Sequence, residues 1–343
     1  MTTQPFLTAR APAKVLLSGE HAAVYGHPAL ALAVDRYATT EIYSDRRLDV
    51  FLDLCDLRKT FRVTLSTLKT IRERLLLAYR RFMNGTLSIR EVVRTPADCF
   101  HFALVSLLDA CEIELTEGIN VRLSSTIPIG CGMGSSAATI VSFVKALLHF
   151  FRIDRGLDWV ERMINEVEQL HHGRPSGVDS FVSLHGGCLQ FQKGQPPQKL
   201  HMPQGDLWIV NTGRPESTTG ECVSAVKEKW EKSHIWDEFK AVTQTIKESM
   251  VGGNHAALAA GLRANQWLLE RIGVVPKKVS SFIASLAQQG SVAKISGAGA
   301  IRGDAGGIVL VIPQEPIQSL CDMYGYSCFP LRGEANGAAV YYS

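Results

Sequence analysis

The stretch PIGCGMGSSAA, from Pro128 to Ala138, sets three glycines and two serines between two apolar segments. It buries almost no side chain, so the fold must use bare backbone at this point. INVRLSSTIP before it alternates in polarity and reads as a strand, and ATIVSFVKALLHFF after it reads as a helix. A strand, a glycine loop and a helix start make an anion site. The first helical turn has unpaired N–H groups and a partial positive charge, and glycines let an anion approach them closely. Ser135 and Ser136 stand where a helix cap would, with hydroxyls able to reach a phosphate or a metal ion. A plain capped helix behind a tight turn is the competing reading.

Two known phosphate motifs fit poorly. The pattern G-x-x-x-x-G-K-[ST] is absent, because no lysine follows the loop. Gly132-x-Gly134-x-x-Ala137 matches the dinucleotide fingerprint, with Asp154 at a suitable distance for a ribose contact. That fingerprint belongs to the first turn of a regular βα series. Here the preceding strand alternates, and Asp154 lies between basic residues in RIDRG. Two further glycine loops, HHGRPSGVDS (His171 to Ser180) and KISGAGAIRGDAGG (Lys294 to Gly307), point instead to one cleft built from several stretches.

The rest of the chain bounds the setting. At 343 residues with 46% apolar and 20% charged residues, it is long enough for two domains and a substantial core. A net charge of +3 is too mild to imply nucleic acid or a membrane surface as partner. No apolar run reaches the roughly 20 residues a membrane helix needs. The eight cysteines form no C-x-x-C pair and read as reduced core thiols, which with the lack of a leader pattern places the chain in the cytoplasm. Leu68, Ile71, Leu75 and Tyr79 recur at helical spacing within Leu65 to Phe82. DWVERMINEVEQL reads as an amphipathic helix ending before His171, His172 and Gly173. A second unit begins near LWIVNTG, holds helices around 236–250 and 255–272 and the strands VAKIS and IVLVIP, and closes on a strand pair in CFPLRGEANGAAVYYS. Strands and helices interleave without a strict βαβ rhythm, so the fold class is α+β. The expected division is 1–205 and 206–343. The oligomeric state, monomer or homodimer, is left open.

APAKVLLSGEHAAVYGHPAL, PIGCGMGSSAA, HHGRPSGVDS and KISGAG together resemble, in that order, the signature segments of the GHMP small-molecule kinases. The resemblance implies an N-terminal domain of the ribosomal-protein-S5 type and a ferredoxin-like C-terminal domain. It implies phosphoryl transfer from ATP, with Mg²⁺, to a small alcohol. GEHAAVYG and the form G-x-P-S-G-x-D point to mevalonate as that alcohol.

The same resemblance assigns roles. Asp179 becomes the base that takes the alcohol's proton, and Lys14 the cation that eases its loss and neutralises the transferring group. Glu168 and Ser136 become Mg²⁺ ligands, with Glu166 a close competitor for the glutamate's place. Gly132, Gly134, Ser135 and Ser136 cradle the ATP phosphates, and Gly297 and Gly299 close the far side of the cleft. Glu20, His21 and Thr218 contact the acceptor, although Thr218 is equally placed to cap the next helix. The adjacent His171 and His172 read as ordinary residues rather than metal ligands.

Several positions depart from the family's usual pattern. Met133 stands for a common leucine, Ala13 for a glycine and Ser180 for an asparagine. The third motif runs GAGAIRGDAGG where bare glycine is usual, so Arg302 and Asp304 either add charge near the phosphates or pair with each other. Other readings stay open: a different acceptor within the family, such as phosphomevalonate, a sugar or another alcohol, or, from another class, a nucleotide-binding dehydrogenase or a non-catalytic ATP sensor.

Overall fold

A computed structural model describes residues 6–45, 48–173, 175–203 and 205–342; Arg174, inside HHGRPSGVDS, lies outside them. The first part of the chain runs β1 (Leu7–Ser18), β2 (Ala29–Asp45), β3 (Asp49–Leu54), β4 (Lys59–Thr64), α1 (Leu65–Met83), α2 (Asp98–Ala110) and β5 (Gly118–Ser125). It continues through α3 (Ser135–Phe150), α4 (Leu157–His172), α5 (Val178–His185), β6 (Cys188–Phe191) and β7 (Gln198–Leu200). The second part runs β8 (Leu207–Asn211), α6 (Thr219–Trp230), α7 (Ile235–Val251), α8 (His255–Arg271), α9 (Lys277–Gln288) and β9 (Val292–Ser296). It ends with β10 (Ile308–Ile312), α10 (Gln318–Tyr324), β11 (Ser327–Leu331) and β12 (Ala339–Tyr342).

Two sheets organise these elements, as expected of an α+β chain. The larger has the order β12-β1-β2-β5-β3-β4, with β6 added to β2 and β7 to β6; the smaller has the order β11-β8-β10-β9. Neighbours are antiparallel except β3 with β5. The expected closing strand pair is not a pair. β11 lies in the smaller sheet beside β8, whereas β12 crosses back to the edge of β1. Tyr341 and Tyr342 thus reach the larger sheet, where Tyr342 stands opposite Leu7. Helix α4 also runs on through His171 and His172 and stops only at Gly173. Gly173 has φ +74°, and a Cβ there would meet the Phe82 ring at 2.8 Å, so glycine is required on both counts.

The strand that matters most for the site is β1. Its odd positions Leu7, Ala9, Ala11, Ala13, Val15 and Leu17 enter the main apolar core. Lys14, Leu16 and Ser18 therefore face the other way, by the alternation of a strand. Register shifts after Pro12 and after Leu16 bracket Lys14. Pro12 has no N–H for the ladder, and its carbonyl is taken by the Ser183 hydroxyl at 2.6 Å. On its cleft side β1 is fastened to the second part of the chain. Leu16 N donates to Ser296 Oγ at 2.8 Å, and Ser18 Oγ shares a 2.7 Å hydrogen bond with Thr243 Oγ1 on α7. Asn265 of α8 donates to the same Ser18 oxygen at 3.1 Å. The eight cysteines are free, five of them buried, and no helix among the described residues is long and apolar enough to cross a membrane.

Helix α2 is buried along nearly its whole length and carries an unusual polar passenger. His101 is 2% exposed, and neither ring nitrogen has a hydrogen-bond partner among the described residues. Burial pulls its pKa down to about 4, against a smaller opposing pull from Asp98. The folded value lies below the ordinary 6.5, so the neutral ring is the folded form. Its contribution is whole above pH 6.5 and is lost as pH falls toward 4. Unfolding by urea should therefore become easier by up to about 3 kcal/mol between pH 7 and pH 4 through this group alone. His101→Leu should flatten that part of the profile; an equally steep acid loss in the variant would contradict the assignment.

Candidate active site

The glycine loop lies pressed between two other parts of the chain. Gly130, Gly132 and Gly134 have φ of +71°, +91° and +71°, a region that glycine enters without steric cost. A Cβ on Gly132 would stand 3.3 Å from Ser296 O and 3.8 Å from Gly297 Cα. A Cβ on Gly134 would stand 3.1 Å from Lys14 Cγ and 3.6 Å from Asp179 Cβ. The loop is bare because the third motif closes on one side of it and the catalytic candidates on the other. Gly134 also caps α3 in the left-handed conformation, leaving Ser135 and Ser136 as the first residues of that helix. Their N–H groups belong to the unpaired first turn, where an anion is favoured.

Lys14 ties this arrangement together. It is 4% exposed, donates from Nζ to Gly132 O at 3.0 Å, and stands 3.3 Å from Asp179 Oδ1. Its backbone N–H donates to Met133 O at 3.0 Å. Asp179 sits in the first turn of α5 behind Gly177, with its side chain about two-fifths exposed, so it can meet a ligand. A buried cation beside a carboxylate at the open end of an anion loop is the set of groups that proton removal during phosphoryl transfer requires.

Glu168 faces inward from α4 at 3% exposure, whereas Glu166 is exposed. Burial and the nearby Asp179 push its carboxyl up to about 7; Ser180 and Lys14 act the other way. Glu168 and Asp179 thus lie close enough to act on each other's charge, and a hard cation with oxygen ligands would relieve that crowding. Among the described residues no three His, Cys, Asp or Glu side chains form a metal cluster, so the phosphates would have to complete the coordination. Ser136 Oγ lies 3.4 Å from His171 Nδ1, and Asp179 acts on the pKa of His172. Both histidines therefore border the site, a placement that their adjacency in sequence did not disclose.

Glu20 and His21 are buried at the end of β1. His21 is 2% exposed and its Nε2 lies 3.0 Å from Ala298 O, so Nε2 carries a proton and donates it. Glu20 pairs with Lys294, a residue that sequence reasoning passed over as part of a strand.

Two expected groups take different positions. Gly299 does not face the phosphate loop. Its would-be Cβ falls 2.0 Å from Val274 O, so its bareness serves the join between α8 and α9, while Gly297 alone of the pair abuts Gly132. Thr218 is exposed and caps α6: its Oγ1 accepts from Glu221 N at 3.3 Å, and the Glu221 carboxylate accepts from Thr218 N at 2.8 Å. The pattern Thr-x-x-Glu carried that signal in the sequence. Arg302 pairs with Glu221 at 3.2 Å rather than with Asp304, and Arg90 approaches the same carboxylate at 3.5 Å. Asp154, the ribose candidate of the dinucleotide reading, is exposed between α3 and α4, and the sheet before the loop is mostly antiparallel.

Comparison with known proteins gives one answer. Residues 100–187 match the family described as GHMP kinases N terminal domain. The mevalonate kinase of Archaeoglobus fulgidus is 30% identical over 295 residues, 85% of this chain and 89% of that protein. The mevalonate kinase of Arabidopsis thaliana is 27% identical over 97% of this chain and 99% of its own. A crystal structure of a mevalonate kinase superposes with a TM-score of 0.79 at 25% identity, covering 95% of this chain and 99% of that one.

The contact geometry of Gly134 yields a direct check. Gly134→Ala should lose about 1 kcal/mol of stability from the left-handed backbone, and its methyl group also enters the gap between Lys14 and Asp179. Gly194→Ala shares the positive φ (+79°) but has nothing within 4 Å. Both variants should melt earlier by a similar amount, and only Gly134→Ala should weaken ATP binding measured by calorimetry. Equal ATP affinity in the two would contradict the placement of the phosphates at this loop.

Proposed function

Because the chain belongs to the GHMP kinase family, and is thereby an ATP-dependent small-molecule kinase, we propose that it transfers the γ-phosphate of ATP to the 5-hydroxyl of mevalonate. The observation that carries the reading is the Lys14–Asp179 pair set against Gly134, at the start of helix α3. The mevalonate kinases that align over most of this chain support the choice of acceptor.

ATP lies with its phosphates on the N–H groups of residues 132–136, with Gly297 at their back. The acceptor enters beside Glu20 and His21 and presents its hydroxyl to Asp179. Asp179 accepts the proton as the hydroxyl oxygen attacks the γ-phosphorus. Lys14, 3.3 Å from that carboxylate and anchored to Gly132 O, stabilises the negative charge shared between nucleophile and phosphoryl group. Glu168 and Ser136 would hold Mg²⁺, with phosphate oxygens completing its ligands. When bound, the ion neutralises charge on the β- and γ-phosphates. Catalysis here is positioning and electrostatics, so small displacements of Lys14 or Asp179 should be costly.

A coupled assay with mevalonate, phosphomevalonate, galactose and homoserine, each with Mg-ATP, tests the acceptor. Mevalonate should be turned over with the highest kcat/KM, and preference for another alcohol would overturn the choice. Asp179→Asn should lower kcat on the order of 10³-fold while ATP binding stays within a few-fold. Wild-type turnover in that variant would remove Asp179 from the role of base. Glu168→Gln should raise the Mg²⁺ concentration for half-maximal rate, and should weaken Mn²⁺ binding in the presence of ADP as read by electron paramagnetic resonance. Unchanged values would exclude it as a ligand.

A further inference from the structure

Lys294 is a cation without a task in the chemistry above. It stands on β9, whose five residues are all buried, and its side chain is 1% exposed. Its Nζ donates to Leu16 O at 3.2 Å and forms an ion pair with Glu20 Oε1; the Glu20 side chain is also 1% exposed. Burial lowers the Lys294 pKa, Glu20 opposes that fall, and the Lys14 charge nearby adds to it. A pair taken so fully out of water is poor evidence of a stabilising device, since apolar residues of equal volume commonly do as well. Another use is to be sought.

Glu20 supplies it. Its second oxygen, Oε2, is buried and has no hydrogen-bond partner among the described residues. A buried carboxylate oxygen in that state calls for a partner from outside the chain, a water, an ion or a ligand group. Beside it, His21 gives its Nε2 proton to Ala298 O, and burial holds the ring below its ordinary pKa, hence neutral. His21 Nδ1 is then an acceptor as well. Lys294, Ser296 and Ala298 lie in one segment of the third motif. They hold, in turn, Glu20, the N–H of Leu16 and His21. One short segment thus holds both residues that carry these two acceptors.

We propose that Lys294 is a positioning residue for the acceptor alcohol: it holds Glu20 as a carboxylate and turns its free oxygen, Oε2, to receive a hydroxyl of that alcohol. The proposal rests on the alcohol-kinase reading above. Lys294 touches neither the phosphates nor the reacting atoms, so its effect passes through Glu20 and falls on the acceptor rather than on ATP.

A four-protein cycle tests this: wild type, Glu20→Gln, Lys294→Met and the double variant, with KM for both substrates and mevalonate binding by calorimetry. Lys294→Met should reduce kcat/KM for mevalonate by about 10²-fold and leave the KM for Mg-ATP within about 2-fold. The double variant should match Glu20→Gln within about 2-fold, because Lys294 has nothing left to act on. It also buries no unpaired charge, so it remains informative where Lys294→Met alone fails to fold. A double variant at least 10-fold worse than Glu20→Gln, or a loss falling equally on ATP, would overturn the role. A wild type that phosphorylates no alcohol strikes the kinase reading itself and the proposal with it. A wild type that turns over, with additive losses in the cycle, strikes Lys294 alone.

Discussion

The ammonium of Lys14 is the point at which three distant stretches of chain are held together. Through it β1 meets the carbonyl of Gly132, 118 residues away, and the carboxylate of Asp179. A buried lysine tolerates such a position only with partners that answer its charge and its hydrogen-bond donors. Here the answer is the site itself: one partner fixes the glycine loop, and the other is the carboxylate proposed to face the acceptor. The loop cannot move outward, because Gly297 closes on Gly132, nor inward, because Lys14 and Asp179 fill the space against Gly134. Bare backbone is thus the geometric consequence of packing two motifs against a third.

The same logic runs through the connections between the two sheets. Ser18, Thr243 and Asn265 join β1 to α7 and α8 by hydrogen bonds, and Ser296 holds the N–H of Leu16. These are polar contacts within a closed interior, where an unmade hydrogen bond is expensive. They fix the angle at which the third motif meets the phosphate loop. The ion pairs of Arg302 and Arg90 with Glu221 lie at the surface and add little to this, as exposed pairs generally do.

Much of the site was legible in one dimension, because glycines and helix starts state what backbone geometry they serve. That the glycine loop, Asp179 behind Gly177 and Lys14 in an early strand lie together followed from the motif order. Helix α1 followed from apolar spacing, and α3, α7 and α8 lie where helical segments were read. What stayed hidden depends on partners far along the chain. Lys294 in VAKIS looks like any residue of a strand, and nothing local says that its counter-ion is Glu20, 274 residues earlier. Gly299 shares a motif with Gly297, yet its lack of a side chain answers to Val274 rather than to a ligand. Whether the last two strands pair with each other is decided by which sheet edge is free, and that too is a property of the whole fold. The Thr218 cap is the opposite case: its Thr-x-x-Glu spacing was readable and was set beside a substrate role.

The central claim is that separate backbone segments converge on one triphosphate beside Asp179. Amide hydrogen exchange, followed with and without a non-hydrolysable ATP analogue, tests it most directly. The account expects slowed exchange in residues 131–137 and at Gly297, with α10 and the β6–β7 hairpin unchanged. Protection confined to a different face, with the 131–137 amides exchanging at the same rate in both states, would contradict it.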